Sequence, residues 1–273
     1  MKRVNDRDLN PLSTIKQWQN SMKHLVIPDV HAHPHFDNRR AEWLGKLILD
    51  VKPDRVINLG DQFDMPSLAS YDRGTKSYHG RTYAADIAAG VEFSDRLWST
   101  VKAAKKRLPH RIYIHGNHDE RVGRAIELTP ELEGTISYND FQLDKYYDEI
   151  VEYTGKQTPG VYQVDGITYS HFFVSGVMGR PIGGEHPAYS LLTKQYISCT
   201  AAHIHTMDFC VRTDPHGRRL MTAVAGCYID YKTPWAGEAQ KLWWSGVLLK
   251  HDVNNGQYDP QFISMARLEK AYG

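Results

Sequence analysis

Seven residues with metal-binding side chains follow short apolar runs along this 273-residue chain: Asp29, His31, Asp61, Asn117, His171, His203 and His205. Neutral imidazole suits borderline divalent metals, and carboxylate or amide oxygen suits harder ones. Four imidazoles, two carboxylates and one amide oxygen are too many for one four-coordinate ion. They match two five- or six-coordinate ions that share a carboxylate. Two metals about 3.5–4 Å apart clamp both oxygens of an in-line displacement at phosphorus and make hydroxide available near neutral pH. Fourteen histidines are present in all. Most need no chemical role: His115 reads as packed at a strand end, and His33 and His35 as chance loop residues, with an extension of the site as the alternative.

The elements that must carry these residues are legible as a recurring pattern. Leu25-Val26-Ile27 runs into Asp29 and His31, Arg55 to Leu59 into Gly60-Asp61, and Arg111 to Ile114 into His115-Gly116-Asn117-His118-Asp119. Ile167 to Tyr169 leads to His171, and Cys199 to Ala202 leads to His203 and His205. Short β-branched runs bounded by Gly and Asp are strand signals. Between the first three, Trp43, Leu44, Leu47, Ile48 and Val51 lie on one helical face, with Asp37 as the expected N-cap and Pro53 as the stop. A second apolar stripe falls between Tyr83 and Leu108. Strand–helix alternation predicts a parallel sheet with ligands at the carboxyl ends of the strands. From Val161 onward most runs read as strands, including Leu220 to Ala225 and Trp243 to Val253. The expected fold class is therefore α/β, a layered β-sandwich with flanking helices and one shared active edge.

Residues 1–22 are polar and read as an N-terminal arm, followed by one domain over 23–273 with insertions at about 65–82 and 125–160. The first insertion gathers Tyr71, Tyr78 and His79 beside Arg73, Lys76 and Arg81. The stretch from Ala125 to Glu152 sets eight acidic residues against Lys145 alone. Both read as solvated loops, with a substrate-facing loop and a cap or partner surface as the functional alternatives. The glycines of Gly176 to Gly184 suit a lid carrying Arg180 or a long turn. Trp235, Trp243 and Trp244 are expected in the core.

In order, the five blocks read Asp29-Val30-His31, Gly60-Asp61-Gln62-Phe63-Asp64, Gly116-Asn117-His118-Asp119, His171 and Ala202-His203-Ile204-His205. This pattern resembles the calcineurin-like metallophosphoesterases, whose blocks are D-x-H, G-D-x-x-D, G-N-H-[DE], a lone H and G-H-x-H. The resemblance implies the αββα form of the sandwich. It implies that Asp29, His31 and His205 hold one metal, that Asn117, His171 and His203 hold the second, and that Asp61 bridges them. It further implies attack by a metal-bridging hydroxide, with His118 as the non-ligand histidine that protonates the leaving oxygen and Asp64 as the carboxylate that orients it. The expected cofactors are two divalent ions, with Mn²⁺ favoured and Fe, Zn, Co or Ni compatible.

Two departures bear on the substrate. Ala202 stands where the family has glycine, a modest steric change. Met65 stands where the protein-phosphatase branch has the arginine that binds a monoester phosphate, and a thioether donates no hydrogen bond. Together with Asp119, where that branch has glutamate, this points to phosphodiester hydrolysis. Arg73, Arg81, Arg121, Arg180 and His79 are the loop residues placed to reach substrate. The alternatives are a phosphomonoesterase and a catalytically silent binding module; the latter predicts gaps in the ligand set or loss of His118, and neither occurs. A net charge of +1 offers no basic track for long duplex, because affinity for nucleic acid comes mainly from neutralising phosphates. The expected substrate is a nucleotide or short nucleic acid. Cys199, Cys210 and Cys227, without C-x-x-C spacing, suit a reducing, cytoplasmic setting, and no secretory leader or membrane partner is expected.

Overall fold

The computed structural model describes residues 22–104, 106–155, 158–233 and 236–273. The expected N-terminal arm lies outside the described residues except for Met22, which packs against the core. The strands are β1 (His24–Ile27), β2 (Arg55–Asn58), β3 (His110–Ile114), β4 (Glu149–Val151), β5 (Tyr162–Val164), β6 (Ile167–Tyr169), β7 (Val174–Ser175), β8 (Arg180–Pro181), β9 (Cys199–Ala201), β10 (Met207–Thr213), β11 (Arg219–Ala225), β12 (Gly246–Asn254) and β13 (Gln257–Ser264). The helices are α1 (Arg40–Val51), α2 (Tyr83–Ala103), α3 (Arg121–Leu128), α4 (Pro187–Gln195) and α5 (Met265–Tyr272).

Strand periodicity builds the layers. Successive side chains of a strand point to opposite faces. Leu25 and Ile27 of β1, Val56 of β2 and Tyr113 of β3 therefore join Trp43, Leu44, Phe93, Leu97 and Trp98 under α1 and α2. Val26, Ile57, Ile112 and Ile114 face the other way, onto Ile167, Tyr169, Met221, Ala223 and Ala225 of a second sheet. That second sheet turns Cys199, Ala201 and Val224 outward onto Leu191 of α4. The result is helix, sheet, sheet, helix, which is the αββα arrangement.

The first sheet runs β13-β12-β1-β2-β3-β4 and the second β10-β11-β9-β6-β5. Strands β1 to β4 are parallel and in step, with Ile27 level with Asn58 and Asn58 with Tyr113. In the second sheet β6 runs parallel to β9, with Tyr169 level with Thr200. Parallel strands in register deliver their carboxyl ends to one edge, and the predicted metal residues all follow those ends.

Several boundaries differ from expectation. Asp37 does not cap α1; its carboxylate accepts from the Arg39 amide at 2.8 Å, and the helix starts at Arg40. Helix α2 ends at Ala103 instead of reaching Leu108. Leu108 precedes Pro109, which disfavours helical backbone. Helices α4 and α5 were not anticipated. Residues 65–82 form three short 3₁₀ turns. Residues 125–160 hold the end of α3, three more 3₁₀ turns and β4, and they send Phe141, Leu143, Tyr146 and Tyr147 into the core. Three acids of this stretch have internal partners: Asp140 accepts from Tyr83, Asp148 pairs with Arg111, and Glu149 with His110. Among the described residues no helix is long and apolar enough to cross a membrane.

Between the sheets lies one buried amine. Lys250 is fully buried, and its Nζ donates to Thr200 Oγ1 at 2.5 Å and Tyr169 Oη at 3.2 Å. The Tyr169 ring (4.4 Å) and the Tyr258 ring (4.3 Å) flank it, and among the described residues no carboxylate pairs with it. Burial holds its pKa well below the usual lysine value. The fold therefore disfavours the charged amine, while the unfolded chain protonates it below about pH 10. Stability from this group falls as pH drops, by about 1.4 kcal/mol per unit until the folded pKa is reached. Replacing Lys250→Met should thus stabilise the protein at pH 7, and the advantage over wild type should shrink steadily by pH 9. Chemical denaturation of both proteins at each pH measures this; a pH-independent difference would show that the amine is charged in the fold.

Candidate metal centre

The chain bends sharply where each parallel strand ends. Asp29, His31, Asp61, His203 and His205 have φ of 28°, 47°, 49°, 71° and 59°, in the left-handed region that non-glycine residues rarely adopt. Such backbone cost is tolerated where surrounding contacts enforce it, and it clusters at functional sites. Here it falls on five polar residues in the loops that follow the strands. Close approach of the second and third loops depends on Gly116. A Cβ there would sit 2.1 Å from Asp61 Oδ1.

The side chains meet in two groups of contacts. His171 Nδ1 donates to the Leu59 carbonyl at 2.7 Å, which leaves Nε2 facing Asn117 Oδ1 at 2.9 Å and Asp61 Oδ2 at 3.3 Å. His31 Nδ1 donates to Asp64 Oδ1 at 2.7 Å, which leaves its Nε2 facing His205 Nε2 at 3.2 Å and Asp61 Oδ2 at 3.8 Å. His205 Nε2 is also 3.5 Å from Asp29 Oδ2. Asp29 Oδ2 accepts from the His203 amide at 2.7 Å, whereas Oδ1 is buried with no hydrogen-bond partner. His203 and His171 lie ring to ring at 5.1 Å.

This donor set fits divalent cations. Asp29 and His171 are fully buried, and Asp61 and His31 almost so. Buried oxygens and nitrogens facing one another need a proton or a cation between them. Burial, then the nearby His171, drives the His203 pKa down to about 3; burial, then His31, takes His205 well below its usual value. Both rings are therefore neutral lone-pair donors. Burial opposes protonation of His171, yet Asp61 and Asp29 raise it to about 9. The potential that pulls a proton onto that ring would equally attract a metal ion. Asp61, His171 and His203 each offer a ligand atom within 4.8 Å of the others, and so do His31, Asp64 and His118. In the second trio, however, Nδ1–H groups already bond Asp64, so His31 offers Nε2 to an ion on the opposite side.

His118 stands beside this cluster and outside it. Its Nδ1 donates to the Asp64 carbonyl at 2.8 Å and lies 3.0 Å from Asp64 Oδ1. Asp64 serves both His31 and His118, and although burial works against the anion, their hydrogen bonds hold its pKa well below the usual carboxylate range. Arg121 is the sequence-predicted arginine that reaches the site. Its Nη1 donates to the Asp64 and Met65 carbonyls at 2.8 and 3.1 Å. Its Nη2 lies 3.1 Å from both Tyr71 Oη and His118 Nε2. Burial, then this cation, lowers the His118 pKa. Arg81 and His79 line a cavity that adjoins Asp64. Arg73 and Arg180 are exposed, and no described contact joins either to the cluster.

His33 and His35, loop residues for which an extension of the site is the alternative, line the same cavity. Trp243, expected in the core, sets its ring edge-on to His205 at 4.1 Å; Trp235 lies outside the described residues. Asp119 is the largest omission. Its Oδ2 accepts from Gly116 N at 2.8 Å, Asp61 N at 2.9 Å and Tyr113 Oη at 3.0 Å, tying two ligand loops to the core. Its only signal in the sequence is the last letter of the Gly116-Asn117-His118-Asp119 block.

The family model described as calcineurin-like phosphoesterase matches residues 22–270. Gene 54 protein of Mycobacterium phage L5 is 29% identical over 132 residues, covering 45% of this chain and 46% of that protein. The match thus spans less than half the length of this curated relative. Among solved structures, Pseudomonas putida nuclease MPE is similar over 87% of each chain, with 13% identity and a TM-score of 0.36. A dimetal phosphatase from Danio rerio is similar over 89% of this chain and 96% of that one, with 13% identity and a TM-score of 0.39.

Because three donors share one buried carboxylate oxygen, Asp119→Ala should lower unfolding stability by about 3 kcal/mol or more and sharply reduce metal uptake. Asp119→Asn keeps an acceptor and should lose less. Denaturation curves and metal content by mass spectrometry measure both effects. Unchanged uptake in Asp119→Ala would show that the ligand loops hold themselves.

Proposed function

The chain belongs to the calcineurin-like phosphoesterase family, and on that premise we propose that it hydrolyses phosphodiesters of nucleotide or short nucleic-acid type with two divalent metal ions. In this reading Asp29, His31 and His205 hold one ion, Asn117, His171 and His203 the other, and Asp61 spans both. Mn²⁺ is the proposed ion, and the mixed nitrogen and oxygen donors also accept Fe, Zn, Co or Ni. When bound, the ions place positive charge at the phosphoryl oxygens and make water acidic enough to lose a proton near neutral pH.

The chain's own residues handle the leaving group. Asp64 fixes the Nδ1 proton of His118 and so leaves Nε2 to exchange a proton with substrate. Burial, then Arg121, disfavours the charged form of the resting ring. An arriving phosphate anion offsets that cation and draws its Nη2 away, so the ring takes a proton from solvent at Nε2 and passes it to the leaving oxygen.

The observation that carries the diester preference is the pair Met65 and Arg121. Met65 is wholly buried, and Arg121 already directs its donors to two carbonyls and Tyr71. A diester presents one negative charge and needs less cationic help than a monoester dianion. The second reading, a phosphomonoesterase, draws on the 3.1 Å approach of Arg121 to His118, which a dianion could exploit by displacing Tyr71. The free cysteines Cys199, Cys210 and Cys227 support a reducing, cytoplasmic setting.

With Mn²⁺ added, an aryl phosphodiester should be turned over with kcat/KM at least about tenfold above the matching aryl monoester, in a panel with cyclic nucleotides and single-stranded DNA. Equal or faster monoester hydrolysis would favour the second reading. Substitution Asp61→Asn should reduce both metal content and turnover about a hundredfold or more. Retained turnover would overturn the dinuclear reading, and a metal-loaded wild type inert to every ester would favour a silent binding module.

A further inference from the structure

The two large sheets have four outer strands, and an outer strand leaves a row of amide and carbonyl groups open to another chain. Strands β4 and β5 are short, with three residues each, and β13 carries Pro260, which has no amide to donate. Strand β10 is different. It has seven residues, Met207-Asp208-Phe209-Cys210-Val211-Arg212-Thr213, and no proline. It pairs with β11 on its inner side alone. Among the described residues no backbone hydrogen bond reaches its outer side.

Two side-chain hydrogen bonds identify the groups that point outward. The Phe209 amide donates to Asp208 Oδ1 at 2.8 Å, and the Val211 carbonyl accepts from Arg212 Nη1 at 2.8 Å. The Cys210 carbonyl instead accepts from Thr222 Oγ1 of β11 at 3.5 Å. Phe209 and Val211 therefore turn their backbone groups to the open edge, and Cys210 turns its groups inward. Side chains follow the pleat. Asp208 and Arg212 share the α4 face: Asp208 Oδ2 accepts from the Ala188 amide at 2.9 Å, and the Arg212 guanidinium lies 5.6 Å over the Tyr189 ring. Phe209 and Val211 face the other way, toward the core between the sheets.

We infer that β10 is the surface by which two copies of this chain pair, antiparallel about a two-fold axis at Cys210. Only a centre on a whole residue sets outward groups against outward groups. A centre at Cys210 places Asp208 opposite Arg212 of the second copy, and Phe209 opposite Val211, each twice. Centres at Phe209 or Val211 would set Asp208 against Cys210 or Asp214 and lose both charge pairs. Opposite charges and aromatic–β-branched pairs facing each other across strands are stabilising. The Phe209 amide and Val211 carbonyl, satisfied in the single copy by Asp208 and Arg212, bond each other across the axis. That exchange frees the two side chains to form the charge pairs. Met207 then lies opposite Thr213 of the second copy, whose 214–218 turn falls beside the segment that leads back to His205.

Sedimentation equilibrium over the micromolar range tests the pairing. Wild type should approach twice the chain mass of 31.2 kDa at the upper end and fall toward one copy on dilution. Arg212→Asp sets two carboxylates against each other at both charge pairs and should weaken dimerisation about tenfold or more. Val211→Pro removes an outward amide, a loss that an outer strand tolerates, and should leave a monomer. Thermal melts of both variants show that they fold. Diamide should link two chains through Cys210, whose side chains meet at the axis; two thiols give one S–S bond, and diamide takes up the two electrons and two protons. Cys210→Ser should abolish the link, because Cys199 and Cys227 are buried. A wild type that stays monomeric, a mass that grows past two copies, a dimer that either folded variant leaves unchanged, or a dimer without the Cys210 link would overturn the inference.

Discussion

Oxygen and nitrogen lone pairs brought together in a dry place repel one another, and much of this structure serves to hold such a cluster in place. Asp29, Asp61, His171 and His31 are almost without solvent, so water cannot relieve the repulsion. The loops answer with fixed donors. The His203 amide caps Asp29, the His118 amide caps Asp61 at 2.7 Å, and the Leu59 carbonyl and Asp64 fix the tautomers of His171 and His31. Each such bond removes one way for the cluster to relax, and a divalent cation is the natural complement to what is left.

Support for those loops comes from deeper in the protein. Asp119 binds the amides of Gly116 and Asp61 together with the Tyr113 hydroxyl, so loops following adjacent strands are tied to one carboxylate. Gly116 allows their close approach. Positive φ angles at five cluster residues are the local cost of the arrangement, offset by the packing of two sheets and three apolar layers. Farther away, Lys250 illustrates the same principle reversed: burial there disfavours the charge, and among the described residues no carboxylate lies opposite to restore it.

Around the cluster, one charged group often has two duties. Asp64 orients His31 on one side and His118 on the other, so the two imidazoles share an anchor. Arg121 bridges the backbone of Asp64 and Met65 to Tyr71 and the His118 ring. It thereby connects α3 with the 3₁₀ loop after the second motif. The cavity beside Asp64 is bounded partly by that loop and partly by Tyr231 from the chain's second half.

Strand periodicity, the helical stripe of Trp43 to Val51 and the ordered Asp, Asn and His blocks were legible in the sequence because they depend on local spacing. Residue type and order alone determined the family and the layered α/β class. Helix α4 offers Pro187 as a start signal but only nine residues of pattern, and the apolar stripe of α2 runs on to Leu108 beyond the end of the helix at Ala103. Tertiary structure alone decided that Arg121, and neither Arg73 nor Arg180, meets His118, that Asp119 joins two loops, and that Phe36 meets Tyr231. Those facts depend on residues tens to hundreds of positions apart being brought within a few ångströms, and no local spacing carries that information.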